Sequence, residues 1–306
     1  MLFEWKVKMS SRREYLELYT SKERPFSGYS KDFDKADYVV IGFPYDRTST
    51  YRQGSALAPT AIREASNNIE TYSLRSNIDI EDIAICDVGN LDVVDNVSET
   101  LRRLELCVSD IHNSGKIPII LGGEHTLTYA SIKALKNNIG IVDFDAHMDL
   151  RDEYMGEKLS HTTFMRRICE DIGADRIVEV GTRAVSKEEL KFANEAGVKF
   201  CSAYDIRKKG TQKIFDIINS SSSKFKNKYI TFDVDVLDPA YAPGVGNPEA
   251  EGLDTSTTIE ILDKILDSNI VGIDVVEFSP NYDNGATASQ VVKILFEILA
   301  TIENKK

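Results

Sequence analysis

The chain has 306 residues, with 37 basic against 49 acidic side chains and a formal net charge of −12. Its composition, 42% hydrophobic and 28% charged, is that of a soluble globular protein and excludes collagen-like repeats, coiled coil and extended disorder. The acidic balance leaves no basic footprint for nucleic acid and is compatible with a small cationic substrate.

Residues 1–13 mix Phe, Trp and Lys with polar residues and contain no continuous apolar core of a signal peptide. No apolar run approaches the ~18 residues of a membrane span. Four cysteines, Cys86, Cys107, Cys169 and Cys201, lie far apart with no paired spacing, which predicts free thiols and a cytoplasmic location. Short Val- and Ile-rich runs predict buried strands at 38–43, 116–121, 140–145, 176–181, 198–202, 229–233 and 270–276. Amphipathic patterns between them predict helices at 61–69, 98–113, 127–136, 163–172, 187–196, 203–218, 256–267 and 289–302. Strand–helix alternation argues for a parallel sheet covered on both faces. Residues 220–224 are polar enough only for a surface loop. No stretch reads as a linker, so one domain over 1–306 is expected, with residues 1–36 an N-terminal extension packed on it.

Open α/β sheets bind ligands beyond the carboxyl ends of their strands. The strand at 140–145 runs into Asp145-Ala146-His147-Met148-Asp149, and that at 229–233 ends in Asp233-Val234-Asp235. A third leads into Gly122-Gly123-Glu124-His125, whose glycines allow close backbone approach. If these ends converge, two carboxylates ~4 Å apart repel by ~4 kcal/mol at an effective dielectric near 20. Such a cluster must take up protons or cations, and two divalent ions answer the charge. Oxygen and imidazole donors without thiolate put Mn²⁺ ahead of Zn²⁺. Two ions bridged by carboxylates can activate one water. A single Asp-x-Asp after a strand is more often a turn or helix cap; three such features after three strands are not. His161 follows a short loop later, whereas His112 falls in a predicted helix and reads as structural. Asp143 shares the parity of the ligand run but lies deeper, as a structural or ligand-orienting residue.

Gly122-Gly123-Glu124-His125-Thr126, Asp145-Ala146-His147-Met148-Asp149, Ser160-His161-Thr162-Thr163-Phe164, Phe232-Asp233-Val234-Asp235-Val236-Leu237-Asp238-Pro239 and Glu277-Phe278-Ser279-Pro280 together resemble the ureohydrolase family of arginases and agmatinases. Gly42-Phe43-Pro44-Tyr45-Asp46, Tyr51-Arg52-Gln53-Gly54 and Ile62-Arg63-Glu64-Ala65-Ser66 extend the resemblance toward the N-terminus. It implies a three-layer α/β/α sandwich with a mostly parallel eight-stranded sheet, two Mn²⁺ per subunit and a homo-oligomer, trimer or hexamer. One ion would be held by His125, Asp145, Asp149 and Asp233, the other by Asp145, His147, Asp233 and Asp235. Glu277 would bind the substrate guanidinium, Asp149 would pass a proton to the departing amine, and His161 would shuttle protons.

The segment 149–161 and the loop 238–249 resemble the prokaryotic agmatinase branch, which implies hydrolysis of agmatine to putrescine and urea in polyamine biosynthesis. Asp152 and Glu153 put two acids near the site, suited to a ligand cationic at both ends. Glu124 stands where the family more often has Asp, Thr162 replaces a common Gly, and Ala250-Glu251-Gly252 replaces a Pro/Gly-rich stretch. Aminopropylagmatine, guanidinobutyrate and arginine are the alternative substrates. A deacetylase-like one-zinc enzyme would need a His-His pair, which is missing, and a non-catalytic metal-binding homologue would be expected to have lost a matched position.

Overall fold

The computed structural model describes residues 13–135, 138–222 and 225–306. Residues 1–12 of the expected extension, residue 136 at the end of a predicted helix and residues 223–224 of the polar loop lie outside them.

In chain order, α1 (Glu14–Tyr19) and β1 (Thr20–Ser21) precede β2 (Tyr38–Gly42) and α2 (Ala58–Ser66). A small hairpin, β3 (Tyr72–Ser73) and β4 (Ile78–Asp79), leads to β5 (Ile85–Leu91), α3 (Val97–Asn113), β6 (Ile117–Leu121), α4 (Leu127–Leu135) and β7 (Ile139–Phe144). After α5 (Phe164–Ile172) come β8 (Ile177–Thr182), α6 (Lys187–Ala196), β9 (Lys199–Ser202), α7 (Ala203–Lys209) and α8 (Thr211–Ser222). The chain closes with β10 (Asn227–Asp233), α9 (Thr255–Ile265), β11 (Ile270–Val276) and α10 (Ala286–Asn304).

Among the described residues nine strands form the main sheet, in the order β1-β5-β2-β6-β11-β10-β7-β8-β9. Eight pair in parallel; β1 alone is antiparallel, with Thr20 opposite Leu91. The expectation of eight strands is thus exceeded by a two-residue edge strand too short to leave a pattern in the sequence. β5 also went unpredicted, because Asp87, Gly89 and Asn90 interrupt its apolar run. Their polarity is satisfied inside the protein: Arg63 on α2 donates to both Asp87 oxygens at 2.8 and 2.9 Å and to Asn90 Oδ1 at 2.7 Å. The helix predicted at 203–218 is two, divided at Gly210, whose φ of 78° is available to glycine without strain.

Strand parity sorts the core into two layers. Val142, Phe144, Ile230 and Phe232 face α2 and α7–α10, whereas Ile139, Ile141 and Tyr229 face α1 and α3–α6. Asp143 and Thr231 share the second parity, so polar groups enter that layer just below the strand ends. The helices start where side chains satisfy their first N–H groups: Asn96 accepts from Glu99 N–H, Asp254 from Thr257 N–H, and Ser186 and Glu189 form a reciprocal box. Among the described residues no helix is long and apolar enough to cross a membrane.

Candidate active site

The carboxyl ends of β6, β11, β10 and β7 lie side by side at the centre of the sheet and meet at the floor of a cleft of about 350 Å³. The turn after β6 needs its glycines. A Cβ on Gly123 would stand 2.0 Å from the Tyr45 carbonyl oxygen, and one on Gly122 2.6 Å from Val276. That close approach lets Glu277 N–H donate to the Gly123 carbonyl at 2.9 Å and delivers His125 to the floor. Asp149 and Glu277 both occupy left-handed backbone, with φ of 50° and 60°, a costly conformation for a non-glycine residue that the surrounding hydrogen bonds impose.

His125 Nδ1 lies 3.2 Å from Asp145 Oδ2, 3.3 Å from Asp233 Oδ2 and 3.6 Å from Asp149 Oδ2. His147 Nδ1 lies 3.0 Å from Asp235 Oδ2 and 3.5 Å from Asp145 Oδ1. Two donor groups, His125–Asp145–Asp233 and Asp145–His147–Asp235, each gather their ligand atoms within 4.8 Å and share Asp145. All six predicted ligands therefore converge, with Asp149 beside the first group. The turns are tied by their own carboxylates: Asp145 Oδ1 accepts from His147 N–H at 2.5 Å, Asp233 Oδ1 from Asp235 N–H at 2.8 Å, and Asp235 Oδ1 from Ala146 N–H at 3.1 Å.

The protein alone balances this charge poorly. Burial pushes the Asp149 and Asp233 carboxyls well above the ordinary range, and the Asp145 charge adds to both. For Asp145 burial acts in the same direction, but the close His125 and His147 rings prevail and hold it low. Burial opposes charge on both histidines too, yet the carboxylates around them hold the rings well above their usual value. His125 Nδ1 and Asp145 Oδ2 are buried, face each other and have no hydrogen-bond partner among the described residues. Divalent cations fit such a site, taking the place of the protons it otherwise has to hold.

The ring of His125 is oriented from below. Its Nε2 is 2.8 Å from Thr231 Oγ1, and that hydroxyl lies 2.5 Å from Asp274 Oδ1. Asp274 also accepts from Tyr229 and Thr128. With the Thr231 proton given to Asp274, Nε2 carries the imidazole proton and Nδ1 presents its lone pair upward. Thr231 and Asp274 were not singled out from the sequence, although both are polar residues in apolar strands. Asp143 is fully buried with Oδ1 3.9 Å from His125 Nε2, in keeping with a role beneath the ligands. His112 sits half-buried in α3 and lines no part of the cleft.

Glu277 Oε1 accepts from His125 N–H at 2.8 Å, and burial pushes its carboxyl up to about 8, so it awaits a cation. His161 lines the cleft with Nε2 buried and without a hydrogen-bond partner among the described residues; burial, then the charges of His147 and His125, lower it to about 4. Asp152 and Glu153 do not line the cleft: Asp152 points outward to Arg167 at 2.7 Å, and Glu153 is exposed. The acids at the wall are Glu189 and Glu249 instead, alongside Arg151. In the sequence Glu189 reads only as part of a helical pattern and Arg151 and Glu249 only as members of loops, with nothing to say which turns inward.

Comparison with known proteins fits this geometry. The model of the Arginase family matches residues 36–301. The agmatinase of Bacillus anthracis is 36% identical over 266 residues, covering 82% of this chain and 87% of that protein. The N(1)-aminopropylagmatine ureohydrolase of Thermococcus kodakarensis is 34% identical, covering 86% and 90%. The crystal structure of the agmatine ureohydrolase of Thermoplasma volcanium superposes with a TM-score of 0.85 at 38% identity, covering 90% of this chain and 92% of that one. Fold, site and relatives together define a hydrolase of amidino carbon–nitrogen bonds, in a class whose members work with a binuclear metal centre. The chain belongs to the arginase family.

Proposed function

We propose that the protein is a manganese-dependent agmatinase, hydrolysing agmatine to putrescine and urea in polyamine biosynthesis. The observation that carries the reading is the pair of donor groups sharing Asp145, in an acid-lined cleft that a buried carboxyl, Glu277, also lines. His125, Asp145, Asp149 and Asp233 would hold one Mn²⁺, and Asp145, His147, Asp233 and Asp235 the other. Bound there, two ions would supply a water ionised near neutral pH, the nucleophile that a charge-delocalised guanidinium carbon requires.

The chain's own groups do the rest. Glu277 orients the planar guanidinium by charge-assisted hydrogen bonds, and the guanidinium draws the Glu277 proton off. Asp149, beside the floor, takes a proton from the attacking water and hands it to the departing amine, and His161 exchanges protons with solvent through the cleft. Glu249, half-exposed with Oε1 3.9 Å from His147 Nε2, supplies negative charge on the path of the distal ammonium. A guanidino acid such as guanidinobutyrate is the second reading, because Arg151 also lines the cleft. Its guanidinium, however, is 3.8 Å from the Glu189 carboxylate and stacked on Tyr154, and so already engaged.

The same reading takes residues 1–306 as one ureohydrolase domain, supported by α1 docking on α3 and β1 on β5. It also takes the enzyme as a cytoplasmic homo-oligomer, trimer or hexamer; the four buried free cysteines agree with a reducing compartment. Urea release by the Mn²⁺-loaded protein from agmatine, aminopropylagmatine, guanidinobutyrate and arginine tests the assignment. Agmatine is expected to give the highest kcat/KM, and a clear preference for arginine or guanidinobutyrate overturns it.

A further inference from the structure

The loop after β2 and the turn after β6 meet behind His161. Thr48 N–H donates to Glu124 Oε2 at 2.7 Å, and Thr48 Oγ1 lies 2.9 Å from Glu124 Oε1. Thr126 Oγ1 donates to the same Oε1 at 2.6 Å. On its other side Thr48 Oγ1 lies 3.0 Å from the His161 backbone N and 3.1 Å from His161 Nδ1. Glu124 is fully buried, His161 is 4% exposed, and His161 Nε2 has no partner among the described residues.

We propose that Thr48 and Glu124 are positioning residues that fix the ring and tautomer of His161, so that its proton traffic runs through Nε2 alone. The inference rests on the reading of His161 as the proton shuttle. A hydroxyl has one proton to give and two lone pairs to receive. Glu124, on which three donors converge, takes the Thr48 proton. The lone pairs then accept from the two remaining neighbours, the His161 backbone N–H and Nδ1–H. That saturates the hydroxyl and leaves neutral His161 with its proton on Nδ1 and its free lone pair on Nε2, the nitrogen that has no partner among the described residues. The opposite tautomer would set the Nδ1 lone pair against a hydroxyl whose only proton is already committed, and would block the reacting face with N–H. The carboxylate–hydroxyl–imidazole chain also couples the shuttle to the segment bearing His125, since Glu124 is its neighbour in sequence. The Glu at this position has the reach to engage both the amide and the hydroxyl of Thr48.

Magic-angle-spinning NMR of the [15N]histidine-labelled protein loaded with diamagnetic Zn²⁺ reads the tautomer directly, with His161→Gln identifying the resonance. At pH 7.5 the wild type is expected to show a protonated Nδ1 and an unprotonated Nε2. Thr48→Val should add the Nε2–H form and lower kcat about 10–100-fold with KM little changed, whereas Thr48→Ser should restore both. Metal content should match wild type in each variant. A protonated Nε2 in the wild type overturns the proposal whether or not Thr48→Val folds, as does a Thr48→Val enzyme with wild-type kcat. If wild-type protein releases urea from none of the guanidino compounds, the shuttle reading fails, while the tautomer result still decides whether Thr48 and Glu124 set the ring.

Discussion

Replacing Thr231 by Val keeps the β-branched shape that suits the centre of β10 but removes one hydroxyl from beneath the proposed metal ligands. Two buried groups lose their partner: His125 Nε2–H, whose acceptor stood at 2.8 Å, and Asp274 Oδ1, whose donor stood at 2.5 Å. Both residues are fully buried, so water cannot replace what is lost. An unsatisfied buried polar group costs about 1–3 kcal/mol. Asp274 keeps its bonds from Tyr229 and Thr128, which places its share at the low end. The metal-free protein should therefore lose about 2–4 kcal/mol of unfolding free energy by chemical denaturation. Loss of a partner that orients a ligand typically weakens metal affinity 10–100-fold, and a competitive Mn²⁺ titration should show a loss of that size. The reasoning is refuted if Thr231→Val unfolds within about 0.5 kcal/mol of wild type and binds Mn²⁺ equally well.

Other elements give further expectations. Arg63→Met leaves Asp87 buried without its counter-charge, since the two side chains are 1% and 2% exposed, and should cost about 3–5 kcal/mol in denaturant unfolding. Gly123→Ala places a methyl 2.0 Å from a backbone oxygen and should destabilise the fold by at least about 1–3 kcal/mol and weaken Mn²⁺ binding, as His125 is displaced. Asp283 accepts from Thr287 and Ala288 N–H at 2.9 and 3.0 Å at the start of α10. Burial works against its charge, but those bonds hold the carboxyl below its usual value, so its contribution is present at neutral pH and fades as pH falls through the folded value. Asp283→Ala should accordingly cost about 1 kcal/mol at pH 7 and less at pH 3. Burial raises all four cysteine thiols, Cys107 and Cys169 to about 12, so a thiol reagent at pH 8 should label them only after denaturation.

The site was legible where chemistry is written in one short stretch. Asp145 to Asp149 and Asp233 with Asp235 stand at the ends of apolar strands and His125 in the short glycine turn after another, and the rule that open α/β sheets gather their ligands beyond the carboxyl ends of the strands was enough to direct them to a common place. Groups that act through tertiary proximity were not legible. Thr48 is separated from His161 by 113 residues and Thr231 from Asp274 by 43, and no local spacing records either meeting. Asp152 and Glu153 misled for the complementary reason: nearness in sequence to Asp149 says nothing of which way a loop residue turns, and Arg167 drew Asp152 outward. In the sheet, β5 was hidden by polar residues whose partner, Arg63, arrives from α2.

Metal stoichiometry tests the account most directly. Protein equilibrated with Mn²⁺ and freed of excess should retain two ions per chain by elemental analysis, and Asp145→Asn, which alters the ligand common to both groups, should lose both. One ion or none in the wild type, or two retained by the variant, contradicts the binuclear centre on which the proposed hydrolysis depends.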